Sequence, residues 1–339
     1  MKESTMYQFY LGIDGGGTKT HCALFDRTGT LVDFVKWGTT SHEFLPGGYQ
    51  ELKGELQRMF DTIQQRNKLS WEDVSVVYGM AGVDCARQQK LISQLIYDCG
   101  VRNCLLCNDA FLGIKAGTDQ GWGICSINGS GTGAQGIDRN GKTCRVGGLF
   151  EFSGDYAGGK ILGSEVVSHV YDHLFRGGRK TELSRLLFEK FHADNREDLM
   201  EEIICRMAER TLEPKEFAPL LLEAACAKDE TALSILSKCG EQNARDIIAV
   251  AKQLDFPNGE AVSVVLLGSL YTRAKHNQIV DSLEKALKQN EMGKEFRLIQ
   301  LSIDPVIGAV CWAMENDKRK FDRNRISSQI ESWQWKERH

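Results

Sequence analysis

Apolar and polar residues alternate at the start of the chain. Phe9, Leu11 and Ile13 are spaced by small or polar positions, the period of a strand. Residues 20–25 (THCALF) read as a second strand, so the segment between them closes a hairpin, and residues 30–36 predict a third strand. The period then lengthens. Leu52, Leu56, Met59, Phe60 and Ile63 fall on one face of a helix spanning residues 49–66. A short β-branched strand over 74–78 leads into a helix over 85–99, with Leu91, Ile92, Leu95 and Ile96 on one side. Residues 104–107 read as a buried strand ending at Asn108-Asp109-Ala110, where a helix begins. A strand over 123–127 opens a second hairpin, and a long helix follows over 157–175. Residues 180–254 are helical throughout, with breaks near His192-Ala193-Asp194, Glu213-Pro214 and Lys228-Asp229. Strands over 261–267 and 296–301 follow, and Asp304-Pro305 opens another helix, with the proline suited to its first turn. Residues 318–339 are charged, with Phe321, Ile326, Ile330, Trp333 and Trp335 interspersed, and fit either an added helix covering the body or a solvated tail.

Strands alternating with helices indicate an α/β chain, and 339 residues suffice for two domains with sizeable cores. A net charge of −4 gives no electrostatic footprint for nucleic acid. No apolar run is long enough to span a bilayer, and MKESTMYQFY lacks the apolar core of a signal peptide. The expectation is a cytoplasmic protein without membrane or nucleic-acid partners, its 11 cysteines reduced.

The chemistry concentrates at the two hairpins. Asp14 ends the first strand and is followed by Gly15, Gly16, Gly17, Thr18 and Lys19. Three glycines permit positive φ and close approach to a ligand, and successive N–H groups in such a turn bind anions, typically phosphate. Asp14 could hold a hydrated Mg²⁺, which prefers one or two carboxylates and keeps several waters. The spacing is not that of a P-loop, and a strand rather than a helix follows. The second hairpin carries Asn128-Gly129-Ser130-Gly131-Thr132-Gly133. Residues 131–136 spell G-x-G-x-x-G, but a dinucleotide fingerprint must open a helix, and Asp138-Arg139-Asn140-Gly141 is a turn. Asp109, at a strand's carboxyl end, faces the ligand crevice of an open α/β sheet, yet position alone leaves a catalytic base and a helix N-cap equal. Asp155 could likewise cap the helix after it. Cys104 and Cys107 form a C-x-x-C inside an apolar strand and read as core thiols. His169 and His173 share a helix face but lack a third ligand, and His42 reads as a surface-loop histidine.

LGIDGGGTKT resembles the first phosphate loop of the actin/hexokinase-like ATPase superfamily, and within it the BadF/BadG/BcrA/BcrD-type ATPase family, which includes N-acetylglucosamine kinases. The resemblance covers roughly residues 10–314. It implies a two-domain actin/hexokinase-like (ribonuclease H-like) fold with an interdomain nucleotide cleft. The domains would be residues 1–117, residues 118–316 with a helical insert, and a tail over 317–339. It implies ATP and Mg²⁺, with phosphates gripped by Gly15, Gly16, Gly17, Thr18 and Lys19 and by Ser130, Gly131, Thr132 and Gly133. Gly268 and Ser269 would be the adenosine segment, and Asp109 the catalytic base. Ser41 and His42 stand where such kinases place a sugar-binding asparagine. Gly148 and Asp155 fall in the substrate segment, where Leu149 replaces a tryptophan and Tyr156 a glutamate. The expected activity is transfer of the γ-phosphoryl group to a hydroxyl of an amino sugar, N-acetylglucosamine or a related hexosamine, by a homodimer. The alternatives are an ATPase activator of a radical dehydratase or reductase, whose cluster-binding cysteines would follow the second loop, and a nucleotide-dependent sugar-binding protein.

Overall fold

The computed structural model describes residues 7–129, 131–272 and 278–338. The chain divides into two compact units, residues up to Trp122 together with those from Leu301 onward, and Gly123–Gln300.

In the first unit, β1 (Phe9–Gly15), β2 (Thr20–Asp26) and β3 (Leu31–Trp37) form an antiparallel meander. Then come α1 (Gly48–Asn67), β4 (Val74–Met80), α2 (Ala86–Asp98), β5 (Cys104–Cys107) and α3 (Ala110–Gly117). The sheet order is β3-β2-β1-β4-β5, with β4 parallel to both β1 and β5. Leu11 and Ile13 pack with Leu52, Leu56, Met59, Phe60 and Ile63 of α1 and with Ile92 and Ile96 of α2. The helical period read from the sequence is therefore the set of side chains that covers one face of this sheet.

The second unit repeats the pattern. β6 (Gly123–Asn128), β7 (Thr132–Ile137) and β8 (Thr143–Val146) form another meander. The helical insert is α4 (Gly159–Phe175), α5 (Glu182–Phe191), α6 (Arg196–Ala208), α7 (Ala218–Cys226) and α8 (Glu230–Gln253). It is punctuated where polar residues cap helix starts. Thr181, Asn195 and Asp229 accept the backbone N–H of Leu183, Asp198 and Ala232. The unit continues with β9 (Val262–Leu267), α9 (Ser269–Thr272), α10 (Gln278–Lys288) and β10 (Phe296–Gln300). Its sheet order, β10-β9-β6-β7-β8, matches that of the first unit strand for strand.

The chain then returns to the first unit with α11 (Val306–Asn316) and α12 (Arg323–Arg338). This differs from the expected boundaries at 117 and 316. Helix α11 is apolar and covers the other face of the first sheet so closely that a Cβ on Gly12 would sit 2.6 Å from the Val310 nitrogen. Helix α12 is not a solvated tail. Ile326 and Ile330 are buried, and the Gln329 amide accepts from Leu31 N–H and donates to the Gly29 carbonyl at the β2–β3 turn. Among the described residues no helix is long and apolar enough to cross a membrane.

Candidate active site

In the first unit, the β1–β2 turn closes through the Gly16 N–H, which donates to the Lys19 carbonyl at 2.9 Å. The three glycines do not use positive φ here, contrary to the expectation from sequence. For two of them the reason is space: a Cβ on Gly15 would meet Thr40 Oγ1 at 2.8 Å, and one on Gly17 would meet the Phe44 ring at 2.7 Å, whereas one on Gly16 would meet only the Lys19 carbonyl at 3.4 Å. The loop after β3 is therefore moulded onto the turn. Thr39 donates to the Gly16 carbonyl at 3.0 Å, Thr20 and Thr40 hydroxyls lie 2.8 Å apart, and Tyr78 donates to Thr40. Thr18 and Lys19 are exposed at the tip.

This stitching brings Ser41 and His42 beside the turn. Ser41 is fully buried, and its hydroxyl, like Nδ1 of His42, has no hydrogen-bond partner among the described residues. The His42 ring stacks on Tyr49 at 4.2 Å, so it is an ordered wall rather than a free surface histidine. A buried polar atom without a partner is costly unless a ligand satisfies it.

Asp14 and Asp109 are brought together at the carboxyl ends of β1 and β5, with Asp304 close by. Burial first, and then the charges of Asp109 and Asp304, push the Asp14 carboxyl up to about 8, while Lys19 pulls the other way. Asp109 makes no side-chain capping bond to α3; the neighbouring Asn108 does the capping, its Oδ1 accepting the Ala110 N–H at 3.0 Å. Asp304 is a site residue that the sequence reading used only as a helix start. Its Oδ2 lies 2.8 Å from Nδ1 of His21. Burial alone would raise its carboxyl, but the hydrogen bond and charge of His21 outweigh that and hold it below the ordinary range. The only local signal was an acid before Pro305; its place beside Asp14 depends on β10 and α11 returning to this unit.

In the second unit the β6–β7 turn packs on the start of α4. The Gly159 N–H donates to the Gly129 carbonyl at 2.7 Å and the Gly158 N–H to Asn128 Oδ1 at 2.9 Å. Thr132 donates to the Ile127 carbonyl, and Gly131 lies against Gly158. Ser130 lies outside the described residues. Gly268 has φ +105°, and a Cβ there would sit 2.3 Å from the Asn128 carbonyl oxygen, so the expected adenosine segment is pressed against the base of this turn. Ser269 opens α9. Asp155 does not cap α4. Its carboxylate accepts the N–H groups of Gly148 and Phe150 at 3.0 and 2.9 Å, shaping the segment that carries Gly148. Asp246, also missed in the sequence, sits beside Asp155; burial and then that neighbouring charge raise it to about 6.

The remaining candidates have local explanations. Burial pushes the Cys104 thiol up to about 12 and raises the Cys107 thiol well above the ordinary range, which suits protonated core thiols. His173 Nδ1 lies 2.7 Å from the Ser184 hydroxyl, and His169 faces Glu165. Among the described residues no three His, Cys, Asp or Glu side chains converge as metal ligands. A cation at Asp14 would therefore be held mostly by water and phosphate oxygens, as Mg²⁺ prefers with one or two carboxylates.

A model of the BadF/BadG/BcrA/BcrD ATPase family matches residues 11–313. The chain belongs to that family. It is similar to N-acetyl-D-glucosamine kinase of Dictyostelium discoideum, at 26% identity over 92% of this chain and 99% of the relative. It is also similar to N-acetylmuramic acid/N-acetylglucosamine kinase of Clostridium acetobutylicum, at 25% identity over 89% of this chain and 97% of the relative. A solved structure of a candidate N-acetylglucosamine kinase from Chromobacterium violaceum superposes with a TM-score of 0.65 at 20% identity, covering 92% of this chain and all of that one. The fold is the two-domain α/β arrangement of actin- and hexokinase-like ATPases.

Proposed function

We propose that this protein is an ATP-dependent sugar kinase that transfers the γ-phosphoryl group to a hydroxyl of an amino sugar, N-acetylglucosamine or a related hexosamine. One observation carries the reading beyond family membership. Asp109 stands at the carboxyl end of β5 beside Asp14, while Asn108 does the capping. That is where a general base would stand.

In this account the acceptor hydroxyl gives its proton to the Asp109 carboxylate as its oxygen bonds the γ-phosphorus, and the bond to the ADP oxygen breaks. The first turn, Gly15 to Lys19, and the second, Ser130 to Gly133, bind phosphates, and Gly268-Ser269 takes the adenosine. Ser41 and His42 offer their unpartnered polar atoms to the sugar, and Gly148, its loop held by Asp155, offers a further contact. Asp14 would hold Mg²⁺ through water, and when bound that ion offsets phosphate charge. The fit rests on the Asp14 carboxyl, raised by burial and two neighbouring acids and opposed by Lys19, which a dication would relieve.

The proposal includes a cytoplasmic homodimer. Ile204 and Met207 on α6 are 63% and 62% exposed, and sedimentation would test the assembly. The activator alternative loses support because no cysteine lies between Cys125 in β6 and Cys144 in β8, leaving a cluster without ligands after the second loop. The deciding experiment is ADP release, with Mg²⁺ and ATP, across N-acetylglucosamine, glucosamine, N-acetylmuramate and glucose. Sugar-dependent turnover with an amino sugar preferred supports the reading; ATP hydrolysis indifferent to every sugar overturns it.

A further inference from the structure

A cavity of about 500 Å³ on the first unit takes no part in the chemistry above. The β2–β3 turn lends it Arg27, the α11–α12 connection lends Lys318, Arg319 and Lys320, and Arg325 comes from the first turn of α12. Against these five cations the lining has one acid, Asp322. Its Oδ1 already accepts the N–H groups of Asn324 and Arg325, at 2.9 and 3.2 Å.

Two further acids stand near the cavity and keep their charge, and the five cations still outnumber the three acids: Asp26, which Arg325 approaches, accepts from Thr28 and Thr30 within the turn, and Asp317 accepts the Tyr10 hydroxyl at 2.6 Å. The Arg319 guanidinium donates to the Arg27 carbonyl at 2.9 Å, so the two cation-bearing segments are fixed to each other. Met314, Phe321 and Ile326 give the same cavity an apolar wall.

We propose that this cavity binds a phosphate ester, a small metabolite with a dianionic phosphate on a carbon skeleton. A concave surface with a surplus of one charge focuses potential onto the opposite charge, and guanidinium forks match phosphate oxygens. The volume lies in the range of small-molecule sites and exceeds the need of a bare phosphate ion, and the apolar wall suits the carbon part. Tyr10 of the wall belongs to β1, the strand that ends at Asp14, so one strand joins this cavity to the β1–β2 turn. The site stands independently of the kinase reading.

Calorimetric titration of the full chain with glycerol 3-phosphate tests it, with glycerol as control and inorganic phosphate as competitor. The expected result is saturable binding of the ester that weakens as salt rises. The double variant Lys318→Ser, Lys320→Ser should bind about tenfold more weakly or worse, since each lost charge-assisted contact costs on that order, while its melting temperature and its ATP turnover stay unchanged. Absence of binding at millimolar ester, or binding that the double variant leaves intact, overturns the site. Neither result bears on the kinase reading, which sugar-dependent turnover decides.

Discussion

Replacing Asp14 by asparagine should stabilise the ligand-free protein while crippling its response to Mg²⁺ and ATP. Asp14 is surrounded by apolar core below and by Asp109 and Asp304 beside it, and its carboxyl ionises only at about 8. In the unfolded chain it would ionise near 4. Its folded-state value therefore lies above the unfolded one, so the folded state holds the proton longer and loses stability as pH rises between those limits. At pH 7 this costs about 4 kcal/mol at most, at roughly 1.4 kcal/mol per pH unit, and about 2 kcal/mol once the partial opening to solvent is allowed for. Asparagine keeps the shape and removes the titration. With about 2–4 °C per kcal/mol for a unit of this size, Asp14→Asn should melt about 4–8 °C higher than wild type at pH 7.5 in EDTA. At pH 4 the two should nearly coincide. Adding Mg²⁺ and ATP should stabilise the wild type and leave the variant little changed. Equal melting temperatures at both pH values, or a variant less stable at pH 7.5, would refute the claim that Asp14 is a strained acid awaiting a cation.

Three further outcomes follow from the geometry. Ser41→Ala removes a buried hydroxyl that has no partner, so stability should hold, while the KM for sugar rises about tenfold with kcat little altered, because a buried partner for the substrate is lost. Gly268→Ala places a Cβ against the Asn128 carbonyl at a positive φ, and should cost about 1–3 kcal/mol and weaken ATP binding, read by denaturation and by KM for ATP. Ile330→Ala should cost about 2–4 kcal/mol by opening a cavity under α12, and protease cleavage within residues 317–339 should then accelerate; an unaltered cleavage rate would mean α12 contributes nothing to the first unit.

Much of the architecture was legible because local period and chain punctuation agreed. The 3.6-residue spacing of Leu52, Leu56, Met59, Phe60 and Ile63 gave α1, and the break at Lys228-Asp229 fell where the structure uses Asp229 as a helix cap. The hairpins were legible because glycine-rich turns sat between two period-two runs. What the local pattern could not carry was long-range return. Helix α11 is apolar all round, so nothing in its own sequence says which unit it covers, and Asp304 reached Asp14 only through that return. Asp246 is hidden in the same way, one acid on a long helix whose neighbour Asp155 lies ninety-one residues earlier. The glycines of the first turn do not adopt the expected positive φ; crowding by Thr40 and Phe44 requires Gly15 and Gly17 instead. Helix α10 carries Ile279, Leu283 and Leu287 at helical spacing, a signal present but passed over in the polar stretch before β10.

The central claim is that Asp109 takes the proton of the attacking hydroxyl. Its most direct test is kcat for sugar phosphorylation by Asp109→Asn at saturating ATP, Mg²⁺ and sugar. The account predicts a fall of about 10²–10⁴-fold with both KM values within a few-fold of wild type. A variant that keeps most of its kcat would contradict it.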